Sequence, residues 1–123
     1  MKIEEKNLKT FCFDIDGVIC STKGNDYKNS KPIKKSIKII NELYDDGNIV
    51  LIFTARFMGR SKDNIKIAKK VGYKFTYNQL KKWNLKFHKL IFGKPSFDLF
   101  VDDKSIFFQK DWQKKISNFS DKK

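Results

Sequence analysis

The sequence predicts an α/β protein: one Rossmann-like domain in which a central parallel sheet lies between helices as a three-layer α/β/α sandwich. Short apolar runs alternate with segments of helical periodicity, which is typical of parallel sheets. A chain of 123 residues also has room for one hydrophobic core and is too short for two. We therefore expect residues 1–123 to form a single domain.

Four apolar runs are the predicted strands. They are residues 10–15 (TFCFDI), 48–54 (NIVLIFT), 88–92 (HKLIF) and 97–101 (FDLFV). The second run is apolar almost throughout, which favours a strand that is buried on both faces.

The predicted helices lie between and after these runs. The first carries an apolar stripe at spacings of three and four: Ile33, Ile37, Ile40 and Tyr44. Pro32 suits its first turn and Gly47 its end.

The second half of the chain predicts three further helices. Residues 61–71 form a helix closed by Gly72, and Thr76 with Gln79 forms a capping box for a short helix that ends near residue 84. Residues 111–119 predict a last amphipathic helix.

The charge is strongly basic, with 27 Lys and Arg against 14 Asp and Glu and a net charge of +13. All of these basic residues are lysine except Arg56 and Arg60. Nucleic-acid interfaces favour arginine, and the lysines here are spread along the chain. The composition therefore favours a solvated basic surface that attracts small anions, and it disfavours nucleic acid as a dedicated partner.

Two observations predict a cytoplasmic protein without a membrane partner. No apolar run approaches the roughly 20 residues that span a bilayer, and the first ten residues carry acids where a secretory signal is apolar. Cys12 and Cys20 are interpreted as packing thiols and not as a disulfide.

Polar residues follow the predicted strands, and ligands of parallel α/β sheets bind beyond the carboxyl ends of the strands. Asp14 and Asp16 end the first run and Thr54 ends the second. The later runs are followed by Lys94, Asp102 and Asp103. Four carboxylates at one edge repel one another, and a hard divalent cation relieves this repulsion. Oxygen ligands without a Cys/His cluster favour Mg²⁺.

This set of residues suits phosphoryl transfer. One aspartate of the Asp14 and Asp16 pair can attack phosphorus while the other gives a proton to the leaving oxygen. Thr54 can donate a hydrogen bond to the phosphoryl oxygens, and Lys94 can balance their charge. The alternative, in which the acids cap turns, Thr54 ends a strand and Lys94 is solvated, would require several strand ends to imitate a site by coincidence.

Four motifs in residues 11–105 resemble, in order and spacing, those of the haloacid dehalogenase (HAD)-like phosphohydrolase superfamily. They are FCFDIDGVIC, IFTAR, GKP and FVDDKS. The resemblance implies that Asp14 is the nucleophile and a magnesium ligand, and that Asp16 is the general acid and base and reaches the metal through its backbone carbonyl. It also implies that Thr54 and Lys94 hold the phosphoryl group, and that Asp103 binds magnesium with support from Asp102. An aspartate at the second acid position favours a phosphatase over a dehalogenase.

The spacing of the motifs leaves no room for a cap domain. Residues 17–53 and 55–93 are taken up by helices and strands that the core needs. An open site must draw its selectivity from nearby loops or from a neighbouring subunit in a homo-oligomer. The loop at residues 20–31 is the predicted flap. Tyr27, Ala55, Arg56 and Arg60 are the predicted substrate contacts, with Arg56 equally open to a simple surface role.

Among capless members, the chain looks like small phosphatases of capsule and surface-polysaccharide biosynthesis, on the Asp26-Tyr27 step and the VDDKS sequence. This likeness implies a sugar phosphate or a related small metabolite as the substrate. Two alternatives stay open: a phosphatase that acts on nucleotides or nucleic-acid ends, and a catalytically silent binding protein with a HAD-like fold.

Overall fold

The computed structural model describes residues 7–106 and 108–121. Along the chain its elements are β1 (Thr10–Phe13), β2 (Cys20–Ser21), β3 (Lys31–Pro32), α1 (Lys34–Asp45), β4 (Ile49–Thr54), α2 (Ile65–Lys82), β5 (Lys89–Phe92) and α3 (Trp112–Asp121). The strands β1, β4 and β5 form a parallel sheet in that order. The prediction of an α/β fold with a parallel sheet and flanking helices is confirmed.

The two faces of the sheet differ in burial. Residues that pair in register share a face, and one face is buried throughout: Phe11, Phe13, Val50, Ile52, Thr54, Leu90 and Phe92. On the other face Cys12 is exposed, while Leu51, Phe53 and Ile91 are half-buried. The prediction that residues 48–54 are buried on both faces is therefore wrong, because the described helices leave the second face partly open.

Helix α1 buries the side predicted by its apolar spacing. Ile40 and Leu43 enter the core, and Gly47 follows the helix with a φ of +97°, a left-handed conformation that suits glycine. Pro32 does not start the helix. It lies in β3, where it pairs with Cys20 of β2, so the chain between β1 and α1 folds into a small antiparallel hairpin.

Helix α2 is one continuous helix, so the prediction of two shorter helices is wrong. Gly72 lies inside this helix at a point where a Cβ would collide with the Phe57 ring, and its missing side chain allows the close approach. Thr76 caps nothing, since it is buried within the helix. The actual N-cap is Asn64, whose side chain accepts a hydrogen bond from the backbone N–H of Ile67.

The predicted strand at residues 97–101 is absent. This segment has no regular secondary structure, and Leu99 and Val101 are 81% and 88% exposed. Among the described strands, β1 consequently pairs with β4 alone. The predicted last helix is confirmed as α3, where Trp112 and Ile116 are buried and the Trp112 ring lies 6.0 Å from that of Phe13.

Both cysteines are free thiols: Cys20 is buried as predicted, whereas Cys12 is exposed. Within the described ranges, no helix is both long and apolar enough to cross a bilayer. The prediction that residues 1–10 hold no secretory signal falls largely outside the described residues.

Candidate active site

A cleft of about 330 Å³ lies at the carboxyl ends of the three parallel strands. The predicted site residues that line it are Asp14, Asp16, Tyr27, Ala55, Arg56 and Lys94. Arg60, also a predicted substrate contact, lines the cleft as well, and Phe57 joins these residues in the lining. The sheet thus brings together polar residues that are separated by up to 80 positions in the sequence, as the strand-end rule predicts.

Asp14 directly follows β1 and faces Lys94. Its Oδ1 accepts a hydrogen bond of 2.8 Å from the backbone N–H of Ile15, and its Oδ2 lies 3.5 Å from the Nζ of Lys94. Burial raises the pKa of the Asp14 carboxyl above its ordinary value, and the charge of Lys94 opposes this rise. Asp14 therefore combines a partly desolvated carboxylate with a nearby cation.

A tight turn places Asp16 beside Asp14. Gly17 has a φ of +87°, and its N–H donates to the carbonyl of Cys20 at 2.8 Å. Ile15 and Ile19 are fully buried, so they anchor both sides of the turn in the core. The local sequence thus determines the backbone position of Asp16, and contacts with residues distant in the sequence determine the orientation of its side chain.

The Asp16 carboxylate is held by Arg56. The Nη2 of Arg56 donates to Oδ1 at 2.9 Å, and its Nε donates to Oδ2 at 2.9 Å, which gives the two-pronged geometry of strong guanidinium–carboxylate pairs. Thr22 adds a hydrogen bond from its hydroxyl to Oδ1 at 2.6 Å. Asp16 is consequently fixed by two elements besides its own loop.

Arg56 also contacts the flap and α2. Its Nη1 donates to the Oε1 of Gln79 at 2.6 Å, and its guanidinium carbon lies 4.7 Å from the centre of the Tyr27 ring. Gln79 in turn donates from Nε2 to the backbone carbonyl of Tyr27 at 2.7 Å. The Arg56 residue is 1% exposed, so the surface role that the sequence left open is wrong.

Thr54 ends β4 and is fully buried. Its Oγ1 accepts a hydrogen bond of 3.0 Å from the backbone N–H of Arg56, and its carbonyl accepts one of 3.2 Å from the N–H of Lys94. Thr54 does not line the cleft, whereas the next residue, Ala55, does. Thr54 thus connects the ends of β4 and β5 and lies behind the surface that a ligand would meet.

Lys94 reaches the cleft through a turn at Gly93, whose φ is +106°. Its side chain is 15% exposed and its Nζ lies 5.5 Å and 5.4 Å from the centres of the Phe97 and Phe100 rings. These rings shield the ammonium group from water on one side, which strengthens its attraction for an anion in the cleft.

Asp102 and Asp103 do not join this site. Both are exposed and neither lines the cleft. Asp102 is satisfied locally, since its Oδ1 accepts from the backbone N–H of Lys104 at 2.7 Å and its carbonyl accepts from the hydroxyl of Ser105 at 3.0 Å. The expected gathering of four carboxylates is absent because residues 97–101, which should carry this pair to the sheet edge, do not form a strand.

Three further residues belong to the site although the sequence did not indicate them: Gln79, Thr22 and Phe57. The sequence predicts a capping role for Gln79, because no local pattern distinguishes a capping glutamine from one that reaches a buried arginine. Thr22 lies in the predicted flap, and its tie to Asp16 depends on how the β2–β3 hairpin folds back. Phe57 has a backbone φ of 66°, a value that residues other than glycine rarely adopt and that the sequence does not reveal.

A parallel α/β fold with a cleft that holds acids and a lysine is common to a broad class of proteins. Comparison with known proteins gives further information on the fold alone. No family model and no curated protein matches the chain. The crystal structure of an MCSG target protein from Vibrio cholerae is similar, with a TM-score of 0.76 and 22% sequence identity. The match covers 94% of this chain and 90% of that one.

Proposed function

We propose that this protein is a capless HAD-like phosphatase that hydrolyses a phosphate monoester through an aspartyl-phosphate on Asp14. The observation that carries the proposal is the approach of Lys94 to within 3.5 Å of the Asp14 carboxylate in an open cleft that Asp16 also lines. A carboxylate and an ammonium group at this distance suit attack on a phosphoryl group whose charge the lysine balances. The order and spacing of the four sequence motifs add independent support.

In the first step of the proposed reaction, a carboxylate oxygen of Asp14 bonds to phosphorus as the bond to the alcohol oxygen breaks. Asp16, which must enter this step protonated, gives that oxygen its proton, so the alcohol leaves neutral. The Arg56 guanidinium then pairs with the Asp16 carboxylate that remains. In the second step, a water molecule gives a proton to Asp16 and attacks phosphorus. The bond to Asp14 then breaks, inorganic phosphate leaves, and both side chains return to their starting states.

Magnesium is part of the proposal because the resemblance to the HAD-like superfamily implies it. The described residues hold no group of three or more His, Cys, Asp or Glu side chains placed around a common point for a metal ion. Asp14 and Asp16 line the cleft without Asp102 and Asp103, so this arrangement does not fit the expected ligand set. The metal requirement is therefore a question for the assay.

The test is hydrolysis of an aryl phosphate by the purified protein, with and without added Mg²⁺. We expect turnover that is lost in Asp14→Asn, and the comparison with and without Mg²⁺ shows whether the cation is required. Acid quenching during turnover should also trap a phosphorylated protein. No turnover with any divalent cation would contradict the proposal and favour a catalytically silent binding protein.

One observation favours the second candidate, a phosphatase of nucleotides or nucleic-acid ends. Helix α2 contains six lysines and no acid, and it exposes Phe75 and Tyr77. The Phe75 ring lies 6.4 Å from that of Phe57, which lines the cleft. A polynucleotide whose end occupies the cleft would meet this basic and aromatic helix, and base stacking with phosphate contacts supports such binding.

A substrate panel separates the two candidates. Sugar phosphates, nucleotides and phosphorylated oligonucleotides would be compared by kcat/KM at low and high salt. Preference for a sugar phosphate with little salt dependence favours the small-metabolite phosphatase. Preference for oligonucleotides that falls steeply with salt, and that is weakened by Lys70→Ala with Lys74→Ala, favours the nucleic-acid enzyme.

A further inference from the structure

The guanidinium group of Arg56 is largely occupied by hydrogen bonds to other residues of the protein. Each of its three guanidinium nitrogens has an acceptor: Nε meets Asp16, Nη1 meets Gln79, and Nη2 meets Asp16 with Ser30 at 3.4 Å. Its side chain is 0% exposed in the ion pair with Asp16. A guanidinium with this many protein partners has little capacity left for a ligand.

The partners of Arg56 come from three separate parts of the chain. Asp16 follows β1, Tyr27 and Ser30 belong to the loop between β2 and β3, and Gln79 lies in α2. Tyr27 is tied to the same cluster twice, through its ring over the guanidinium and through its carbonyl bound to Gln79. Arg56 therefore fixes the flap and the Asp16 carboxylate relative to the end of β4.

We propose that Arg56 is a positioning residue, which holds Asp16 and the Tyr27 flap in place for the reaction and does not bind the substrate. This inference rests on the proposed phosphatase function and gives Arg56 a different role from the substrate contact predicted from sequence. A side chain that orients a proton-transferring group affects kcat strongly, because a displacement near 1 Å can cost about 10²-fold in rate.

Arg60 provides a contrast within the same cleft. It is exposed, and its guanidinium carbon lies 4.8 Å from the centre of the Phe57 ring. It also meets the flap, at the backbone carbonyl of Asn25 (3.3 Å) and at the Tyr27 ring (5.6 Å), but none of these contacts reaches Asp16. Its position at the edge of the cleft, without an ion pair to a described carboxylate within 4.0 Å, suits contact with an anionic or aromatic part of the substrate. The two arginines should thus affect different kinetic constants.

The experiment compares kcat and KM for an aryl phosphate in the wild type, Arg56→Ala, Arg56→Lys and Arg60→Ala. We expect Arg56→Ala to lower kcat about 10²-fold while KM stays within about twofold. Arg56→Lys keeps the charge but loses the two-pronged pairing, so its kcat should lie between those of the wild type and Arg56→Ala. Guanidinium chloride at a concentration far below denaturing should restore part of the kcat of Arg56→Ala. Arg60→Ala should raise KM and leave kcat within about twofold.

A rise in KM with unchanged kcat in Arg56→Ala would overturn the proposal, because it would show a substrate contact. Wild-type kcat in Arg56→Lys would overturn it as well. If Arg56→Ala fails to fold, Arg56→Lys carries the test, with circular dichroism to establish that this variant is folded.

A second measurement does not depend on activity. The buried thiol of Cys20 lies 3.6 Å from the Nη2 of Arg56, so release of the cluster should expose it to a thiol reagent. In a Cys12→Ser background, we expect Cys20 to react about tenfold faster in Arg56→Lys and at the wild-type rate in Arg60→Ala. Equal rates in all three proteins would refute the positioning role. Absence of phosphatase activity in the wild type would refute the proposed function separately.

Discussion

The carboxylates of the cleft and those of Asp102 and Asp103 differ in the partners that stabilise them. Asp16 is paired with a fully buried arginine that follows a different strand, and Asp14 faces Lys94. Asp102 is satisfied by backbone and side chain within three residues of itself, and Asp103 is exposed. One pair is thus fixed by tertiary contacts and the other by local ones.

This difference has an energetic reason. A carboxylate that loses water must gain a cation or several hydrogen bonds, whereas an exposed one keeps its water and needs neither. The cleft carboxylates therefore depend on distant residues, so substitutions there should affect stability and activity together. Substitution of the exposed acids should leave the free energy of unfolding almost unchanged.

The largest expected effect is on turnover. Asp14→Asn removes the proposed nucleophile, so we expect kcat to fall by at least about 10³-fold in the aryl phosphate assay. Asp98→Asn, an exposed substitution in the segment after Lys94, serves as the matched control and should stay within about twofold of the wild type. Near-normal activity of Asp14→Asn would contradict the assigned role.

The next effect is on stability. Asp16→Asn leaves the buried guanidinium of Arg56 without its counter-charge, so we expect a loss of about 2 kcal/mol in the free energy of unfolding. This figure lies below that for a fully buried pair because the Asp16 side chain is 28% exposed. Urea denaturation measures it. The control is Asp45→Asn, which breaks an exposed 2.7 Å pair with Lys86 and should cost less than about 1 kcal/mol. Equal losses in the two variants would mean that the Arg56 pair contributes no more than a surface pair.

A smaller effect follows from the raised pKa of Asp14. Burial makes the folded state resist ionisation of this carboxyl, so its contribution to stability is complete below the unfolded pKa and is lost as the pH rises through the folded pKa. Asp14→Asn should consequently melt at a higher temperature than the wild type at pH 7. The gain should disappear below about pH 4, where the carboxyl is protonated in both states. A lower melting temperature at pH 7 would show that the pairing with Lys94 outweighs burial.

The smallest expected effect concerns Asp103. In the absence of a metal ion, Asp103→Asn should change the free energy of unfolding by less than about 0.5 kcal/mol, because the residue is exposed. If magnesium activates the proposed phosphatase through this residue, the same variant should need a higher Mg²⁺ concentration for half-maximal activity. A stability loss as large as that of Asp16→Asn would show that the protein itself holds Asp103, and the contrast between the two regions would fail.

Much of the fold could be predicted from the sequence. The β1, β4 and β5 strands, α1 and α3 all lie where apolar periodicity places them, because burial of a strand or helix face is a local pattern. The errors have tertiary causes. Gly72 signals a helix end in isolation, yet it continues α2 because its missing side chain accommodates Phe57. Residues 97–101 have the composition of a strand, but the structure gives them no strand partner.

The sequence by itself determined that Asp14, Asp16, Ala55 and Lys94 meet in one cleft, since parallel strands with short connections bring their carboxyl ends to the same edge of the sheet. Tertiary structure alone decided that Arg56, 40 positions away, pairs with Asp16 and is withdrawn from solvent. It also decided that Gln79 completes this cluster. The partner of a buried charge depends on which elements pack around it, and that arrangement is not encoded in the neighbouring residues.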